Sequence, residues 1–261
     1  MKEFGLQIFS VRDHFTNIED TRAALIALGE MGYSSIHTAG AYDYMAPELF
    51  AEYVREAGLT VCGTHYDYYK IVGDIEGTIR YHETLGTRVI GIGGLPRENR
   101  VSEEKVLEFI EEFNKAARIY AKRGFKLTYH NHDFEFVKFD NGKTIFDLLE
   151  AGLDTNISFV LDAFWCQYAG IDVRDIIERL GERIEVLHLK DMTADKEHNG
   201  DYKYPMVEIG KGVMNYKGII KTAERVGVKH FIVEDDRCFP GKSLLFAKNS
   251  ADYIKENLIE K

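Results

Sequence analysis

Thiols are scarce in this chain. Cys62, Cys166 and Cys238 are odd in number, widely separated and without CxxC spacing. That argues against a disulfide framework and a thiolate zinc site, and fits a reducing, cytoplasmic setting. No apolar run approaches the ~20 residues that span a bilayer, so no membrane role is expected. The opening MKEFGLQIFSVRDH is too short and too polar for a signal peptide. Basic tracts are missing as well. Acidic residues outnumber basic ones 43 to 33, for a net charge of −10. Phosphate backbones are bound by Lys/Arg patches that displace counterions, so nucleic acid is a disfavoured partner. Only four prolines punctuate the chain. Neither a linker nor a low-complexity segment interrupts it, and residues 1–261 read as one domain. The amino-terminal turn lacks GxGxxG, and GIGGLPREN at 91–99 is not followed by GK[ST], so neither reads as a nucleotide loop.

What the chain does contain is a repeated pattern in ordinary globular composition, 45% hydrophobic and 29% charged. An amphipathic stretch stops near a glycine, a short apolar run follows, and a polar residue closes it. The units are ALIALGEMGYSSIH, YVREAGLTVCGTH, YHETLGTRVIGIGG, ARIYAKRGFKLTYH, LLEAGLDTNISFVLD, IIERLGERIEVLHLKD and AERVGVKHFIVEDD. Their glycines (32, 58, 86, 124, 152, 181 and 227) suit the left-handed residue that ends a helix. Thr16, three residues before Glu19, forms a candidate capping box for the first helix. With FGLQIFSVR at the start there are eight candidate strands. Eight continuous apolar runs alternating with helices predict a single (β/α)8 TIM barrel rather than an open doubly wound sheet.

Barrel sites sit where strands end, and the closing residues here are His37, His65, His130, Asp162, His188 and Glu234. Asp162 follows four apolar residues. It is either a helix N-cap or a site carboxylate, since an unpaired buried charge would be costly. His188 stands in HLKD, where Lys190 and Asp191 mark a polar mouth. Glu234 heads three consecutive acids, which read by default as a solvated turn, but it alone falls where the strand meets the mouth. In LTYHNHDFEF, an extended backbone puts His130 and His132 on one face and Asn131 on the other. Both imidazoles could hold one ion, or one could hold it and the other orient substrate. Histidines mixed with carboxylates suit Mn, Zn, Co or Fe rather than an oxygen cage for calcium. Such an ion polarises a carbonyl while a carboxylate removes the neighbouring proton, the logic of ketose–aldose isomerisation, epimerisation and some eliminations.

The motifs LQIFSVR, YHNHDFEF, LDAFW, HLKD, EIGKGVMNY and VEDD, in that order, resemble the xylose isomerase-like superfamily of sugar phosphate isomerases/epimerases over essentially the whole chain. The resemblance implies one divalent ion, often Mn, with Zn, Co, Fe or Mg as alternatives. Its ligands would be a Glu, an Asp, a His and a second Glu from strands five to eight, the two glutamates acting as an acid/base pair. Asp162, His188 and Glu234 match three of these positions. At the fourth, His130-Asn131-His132 replaces the family's Glu-Asn-His. Either His130 ligates, or Glu135 reaches back as reserve ligand or acid/base. Trp165 stands where several ketose epimerases carry a substrate-contacting histidine, and would supply a stacking wall.

The expected metal set is therefore His130, Asp162, His188 and Glu234, with Glu234, His130 and Glu135 catalytic. Substrate contacts are expected from His65, His132, Trp165, Lys190 and Lys211, and Gln7 lies near a strand end where relatives contact substrate. Lys211, in EIGKG beside Glu208, would meet a substrate phosphate or carboxylate, or simply sit in a solvated turn. Tyr66, Tyr68 and Tyr69 would cover the mouth or form a contact within a homo-oligomer. The function expected from the resemblance is metal-dependent isomerisation or epimerisation of a small sugar, keto-sugar, inosose or sugar phosphate. A lyase on the same barrel is the main alternative. An abasic-site endonuclease is disfavoured by the low basic content, and a non-catalytic sugar-binding protein would show no metal content.

Overall fold

Short apolar runs that bury both faces form parallel strands, covered by helices outside and packed by side chains inside. The strands are β1 (Gly5–Gln7), β2 (Ser35–Ala39), β3 (Thr60–His65), β4 (Val89–Ile92), β5 (Lys126–His130), β6 (Ile157–Asp162), β7 (Ile184–Leu189), β8 (Asp191–Met192), β9 (Met206–Val207) and β10 (His230–Val233). The computed structural model describes all residues except 41, 195–205, 238, 239, 260 and 261, so Cys238 lies outside the described residues. β1 to β7 pair in sequence, and β10 closes the ring between β7 and β1, with Leu6 opposite Val233. The fold is a closed eight-stranded parallel barrel, a single (β/α)8 TIM barrel. β8 and β9 form a separate antiparallel ribbon after β7.

The main outer helices are Ile18–Glu30, Pro47–Glu56, Ile75–Leu85, Glu103–Lys122, Ile145–Gly152, Val173–Leu180, Tyr216–Arg225 and Ser243–Asn257. Among the described residues, no helix is long and apolar enough to cross a membrane. Gly86 ends its helix at φ 75° and ψ 22°, as the pattern predicts. Gly152 departs from the pattern. It stays within its helix and fits closely beneath Ile110, where a Cβ would lie 3.1 Å from two side-chain carbons. The first helix is capped by Asn17, whose Oδ1 accepts from the Asp20 amide at 2.9 Å, so the expected Thr16–Glu19 box is displaced by one residue. The first strand is also shorter than its apolar run, because Ile8–His14 turns into 3-10 helix.

Side chains alternate across each strand, so residues two apart share a face. Val160, Val186 and Ile232 pack with Cys62 as a small apolar cluster. Asp162, His188 and Glu234 follow these three by two positions on the same strand faces. The carboxyl-terminal end of the barrel is thus a polar layer resting on an apolar floor.

Candidate active site

Each of His130, Asp162, His188 and Glu234 offers one ligand-type atom, and these atoms lie within 4.8 Å of one another. All four side chains are buried. They come from β5, β6, β7 and the residue after β10, four neighbouring strands of the ring.

Asp162 is both a cap and a site residue. Its Oδ1 accepts the Trp165 amide at 3.0 Å, capping the Ala163–Tyr168 helix. Its Oδ2 turns inward, 3.2 Å from His130 Nε2 and 2.8 Å from Lys190 Nζ. The backbone N–H of Asp162 donates to Asn131 Oδ1 at 2.9 Å, so the residue between the two histidines ties β5 to β6.

The donor set fits a divalent ion. His130 lies between the Gly93 carbonyl, 3.4 Å from Nδ1, and Asp162 Oδ2, 3.2 Å from Nε2, so the tautomer with its proton on Nδ1 would leave the Nε2 lone pair for an ion shared with Asp162. Burial lowers the basicity of His130 despite the Asp162 carboxylate. A neutral imidazole lone pair facing a carboxylate at 3.2 Å suits a shared cation. His188 Nδ1 is 2.7 Å from Glu234 Oε2, yet neither atom is aligned for a hydrogen bond. The pair is juxtaposed as two ligands of one ion would be. Burial alone would raise the Glu234 carboxyl, but Lys190 and His188 outweigh it and hold it well below the usual carboxylate range.

Lys190 follows His188 by two residues and enters the same interior. It is 1% exposed, and its ammonium lies 2.8 Å from Asp162 Oδ2, 2.9 Å from Glu234 Oε2 and 3.0 Å from Asp236 Oδ1. The Trp165 ring stands 5.5 Å from Nζ on another side. Trp165 therefore walls the Lys190 head group and sits 5.5 Å from the His132 ring.

Beside this cluster stands a second set of imidazoles. His37, His65 and His188 also bring ligand-type atoms within 4.8 Å. The Gln7 amide approaches His37 Nδ1 at 2.7 Å, while its Oε1 accepts from the Phe9 amide at 3.3 Å. His37 therefore carries its proton on Nε2 and is a donor, which makes this trio the poorer ion site. Burial lowers the basicity of His37, His65 and His132, so all three are neutral near pH 7. A cavity of about 300 Å³ opens above, lined by His65, His130, His132, Glu234 and Asp236. Phe9, Ala39, Gly40 and Gly93 complete its lining.

Two expected site residues, Glu135 and Lys211, are not brought to the cluster, and the three tyrosines are engaged elsewhere. Glu135 is buried behind the barrel wall, where its carboxylate accepts from the Tyr129 hydroxyl at 2.6 Å and the His132 amide at 2.8 Å. The 3-10 turn Phe134–Phe136 swings it outward, toward the layer in which Tyr129 meets Phe109 and Phe159. It neither reaches back as a ligand nor faces the cavity. Lys211 lies in the solvated turn, its ammonium 2.8 Å from Glu208. The EIGKG amides are already engaged. Asp191 Oδ2 accepts from Gly210 and Gly212, and Oδ1 from Met192 and Met214. Of the tyrosines, Tyr68 packs on Phe109, and Tyr69 reaches Glu98 in solvent. Tyr66 stacks on Tyr81.

Two residues of the site escape the sequence reading. Phe9 lies just past β1 in a run that reads as strand. Asp236 hides among three acids, although alternation puts it on the face of Glu234 while Asp235 turns away to pair with Arg237.

The comparisons agree with this architecture. A curated relative, an inosose dehydratase from Clostridium perfringens, is 24% identical over 168 residues. That match covers 60% of this chain, which spans 56% of the relative's length. Among solved structures, a sugar phosphate isomerase/epimerase from Parabacteroides distasonis superposes with a TM-score of 0.82 at 24% identity, covering 100% of this chain and 96% of the other. A Bacillus anthracis protein described as a probable 3-DHS dehydratase gives 0.71 at 17% identity, covering 98% and 99%. At these identities the structures show a shared fold. The family model described as xylose isomerase-like TIM barrel matches residues 25–257, and the chain belongs to that family.

Proposed function

We propose that the protein is a divalent-ion-dependent isomerase or epimerase of a small polyhydroxylated aldehyde or ketone. The observation that carries this reading is the cluster of ligand-type atoms from His130, Asp162, His188 and Glu234, within 4.8 Å of one another, two of whose residues, His130 and Glu234, also line a cavity of about 300 Å³ beside His65 and His132. A volume of that size suits a single sugar or cyclitol ring. His130, Asp162, His188 and Glu234 would hold the ion, Mn being the first candidate, and the ion would supply a Lewis acid for substrate oxygens.

The chain's own residues do the rest. Glu234, ionised at neutral pH, removes the proton from carbon next to the carbonyl. His132 and His65 hold substrate hydroxyl groups, and Glu234 delivers the proton it has taken to the neighbouring carbon of the enediol. Phe9 closes the mouth with an apolar ring. The test is incubation of Mn-loaded protein with aldoses, ketoses and inososes in deuterated water. Deuterium should enter the carbon next to the carbonyl. Absence of exchange with every such substrate, beside an active relative as control, would refute the assignment.

One observation favours a second reading. Glu234 and Asp236 are the carboxylates lining this cavity among the described residues, and Asp236 is engaged by Lys190. One base facing imidazoles also suits proton removal followed by loss of a leaving oxygen, a dehydratase or lyase. Release of water or an aglycone instead of an epimer distinguishes the two.

A further inference from the structure

The Lys190 ammonium rests on Asp162 Oδ2 and Glu234 Oε2, at 2.8 and 2.9 Å, the oxygens that face the proposed ion. Two cations cannot share those oxygens at full strength, because like charges held a few ångströms apart in a buried site repel strongly. A buried ammonium stripped of partners would be costly in its own right. Asp236 resolves this conflict. Both of its oxygens lie 3.0 Å from Nζ, and it is the most exposed of the three partners, with a side chain 26% accessible. The lysine main chain is fixed, since the Tyr216 hydroxyl donates to the Lys190 carbonyl at 2.5 Å. A lysine's four-carbon stem and rotatable donors allow its head group to turn from one of these neighbouring carboxylates to another. Charge points the same way. Three carboxylates surround the one ammonium, an excess of negative charge that a bound cation would offset.

We propose that Lys190 and Asp236 form a movable counter-ion pair that sets divalent-ion affinity at the His130–Asp162–His188–Glu234 cluster. The ammonium competes with the ion for Asp162 and Glu234, and withdraws onto Asp236 when the ion binds. Asp236 is a positioning residue acting through Lys190. This inference rests on reading the cluster as an ion site, and it assigns a role to residues outside the ligand set.

The experiment is a Mn²⁺ and Zn²⁺ titration of the full chain by competition with a chromophoric chelator, without substrate. Asp236→Asn should weaken binding about tenfold, within the usual range for coupled groups in one charge network. Lys190→Gln should tighten it by a similar factor. In the Lys190→Gln background, Asp236→Asn should change affinity little. An equal loss in both backgrounds would show Asp236 acting directly on the ion and overturn the proposal, as would unchanged affinity in Lys190→Gln. Should the lysine variants fail to fold, Asp236→Glu decides: restored affinity supports the pair, and affinity as weak as Asp236→Asn overturns it. Failure of the unaltered protein to bind either ion would instead bring down the ion-site reading itself.

Discussion

Asn131 Oδ1 accepts the backbone N–H of Asp162 at 2.9 Å, a side chain of β5's end holding the main chain of β6. Its Nδ2 lies 3.6 Å from the Sγ of Cys166, within the short helix that Asp162 caps. Asn131→Ala would leave a buried amide unpaired, at about 1–3 kcal/mol. The expected outcome is a loss of that order in denaturant unfolding, together with weaker Mn²⁺ binding because Asp162 is no longer fixed. Unchanged ion affinity would mean the cap on Trp165 suffices.

Glu234→Gln removes the proposed base and one ligand while keeping shape. Proton transfer by a positioned side chain contributes roughly 10²–10⁴-fold. Solvent deuterium exchange into the substrate carbon should fall by at least that factor. Loss of ion affinity alone, repaired by excess Mn²⁺ with full exchange, would remove the base role from Glu234.

Glu135 makes stability depend on pH. Burial pushes its carboxyl from 4.5 up to about 7, against the hydrogen bonds from Tyr129 and His132. A carboxyl whose pKa is raised on folding contributes stability that is fully present below pH 4.5 and lost as pH rises through about 7. The change is on the order of 3 kcal/mol. Glu135→Gln should flatten the unfolding free energy across that window and raise it above pH 7. A profile identical to the parent would show Glu135 paired more strongly than its two donors imply.

The loop after β9 should be sensitive at Gly212 and tolerant at Lys211. A Cβ at Gly212 would stand 2.2 Å from Asp191 Oδ1 and 2.4 Å from the Met192 carbonyl. Gly212→Ala should therefore cost about 1–3 kcal/mol in thermal unfolding. Lys211→Ala, at an exposed pair, should stay within about 0.5 kcal/mol and leave kcat/KM unaltered. A large loss of activity in Lys211→Ala would restore it as a substrate contact.

Much of this was legible because the barrel couples sequence position to place. A polar residue closing a buried parallel run must emerge at the carboxyl-terminal mouth, so His130, Asp162 and His188 could be found without coordinates. What stayed hidden depends on direction after the strand has ended. Glu135 lies only three residues past His132, but one turn of 3-10 helix sends it behind the wall. EIGKG reads as a cradle for an anion. Only the fold shows that Asp191, already in HLKD, is that anion. Asp236 was within reach of the two-residue alternation, and the run of three acids obscured it.

The four residues of the proposed ion cluster come from β5 onward, on four consecutive barrel strands, while Phe9, Ala39, Gly40, His65 and Gly93 line the cavity from the segments of β1 to β4. The strands before β5 thus supply cavity lining but no member of the proposed ion cluster. Under the proposed function, exchange of β1–β4 and their loops between relatives should shift substrate preference while the proposed ion cluster is retained.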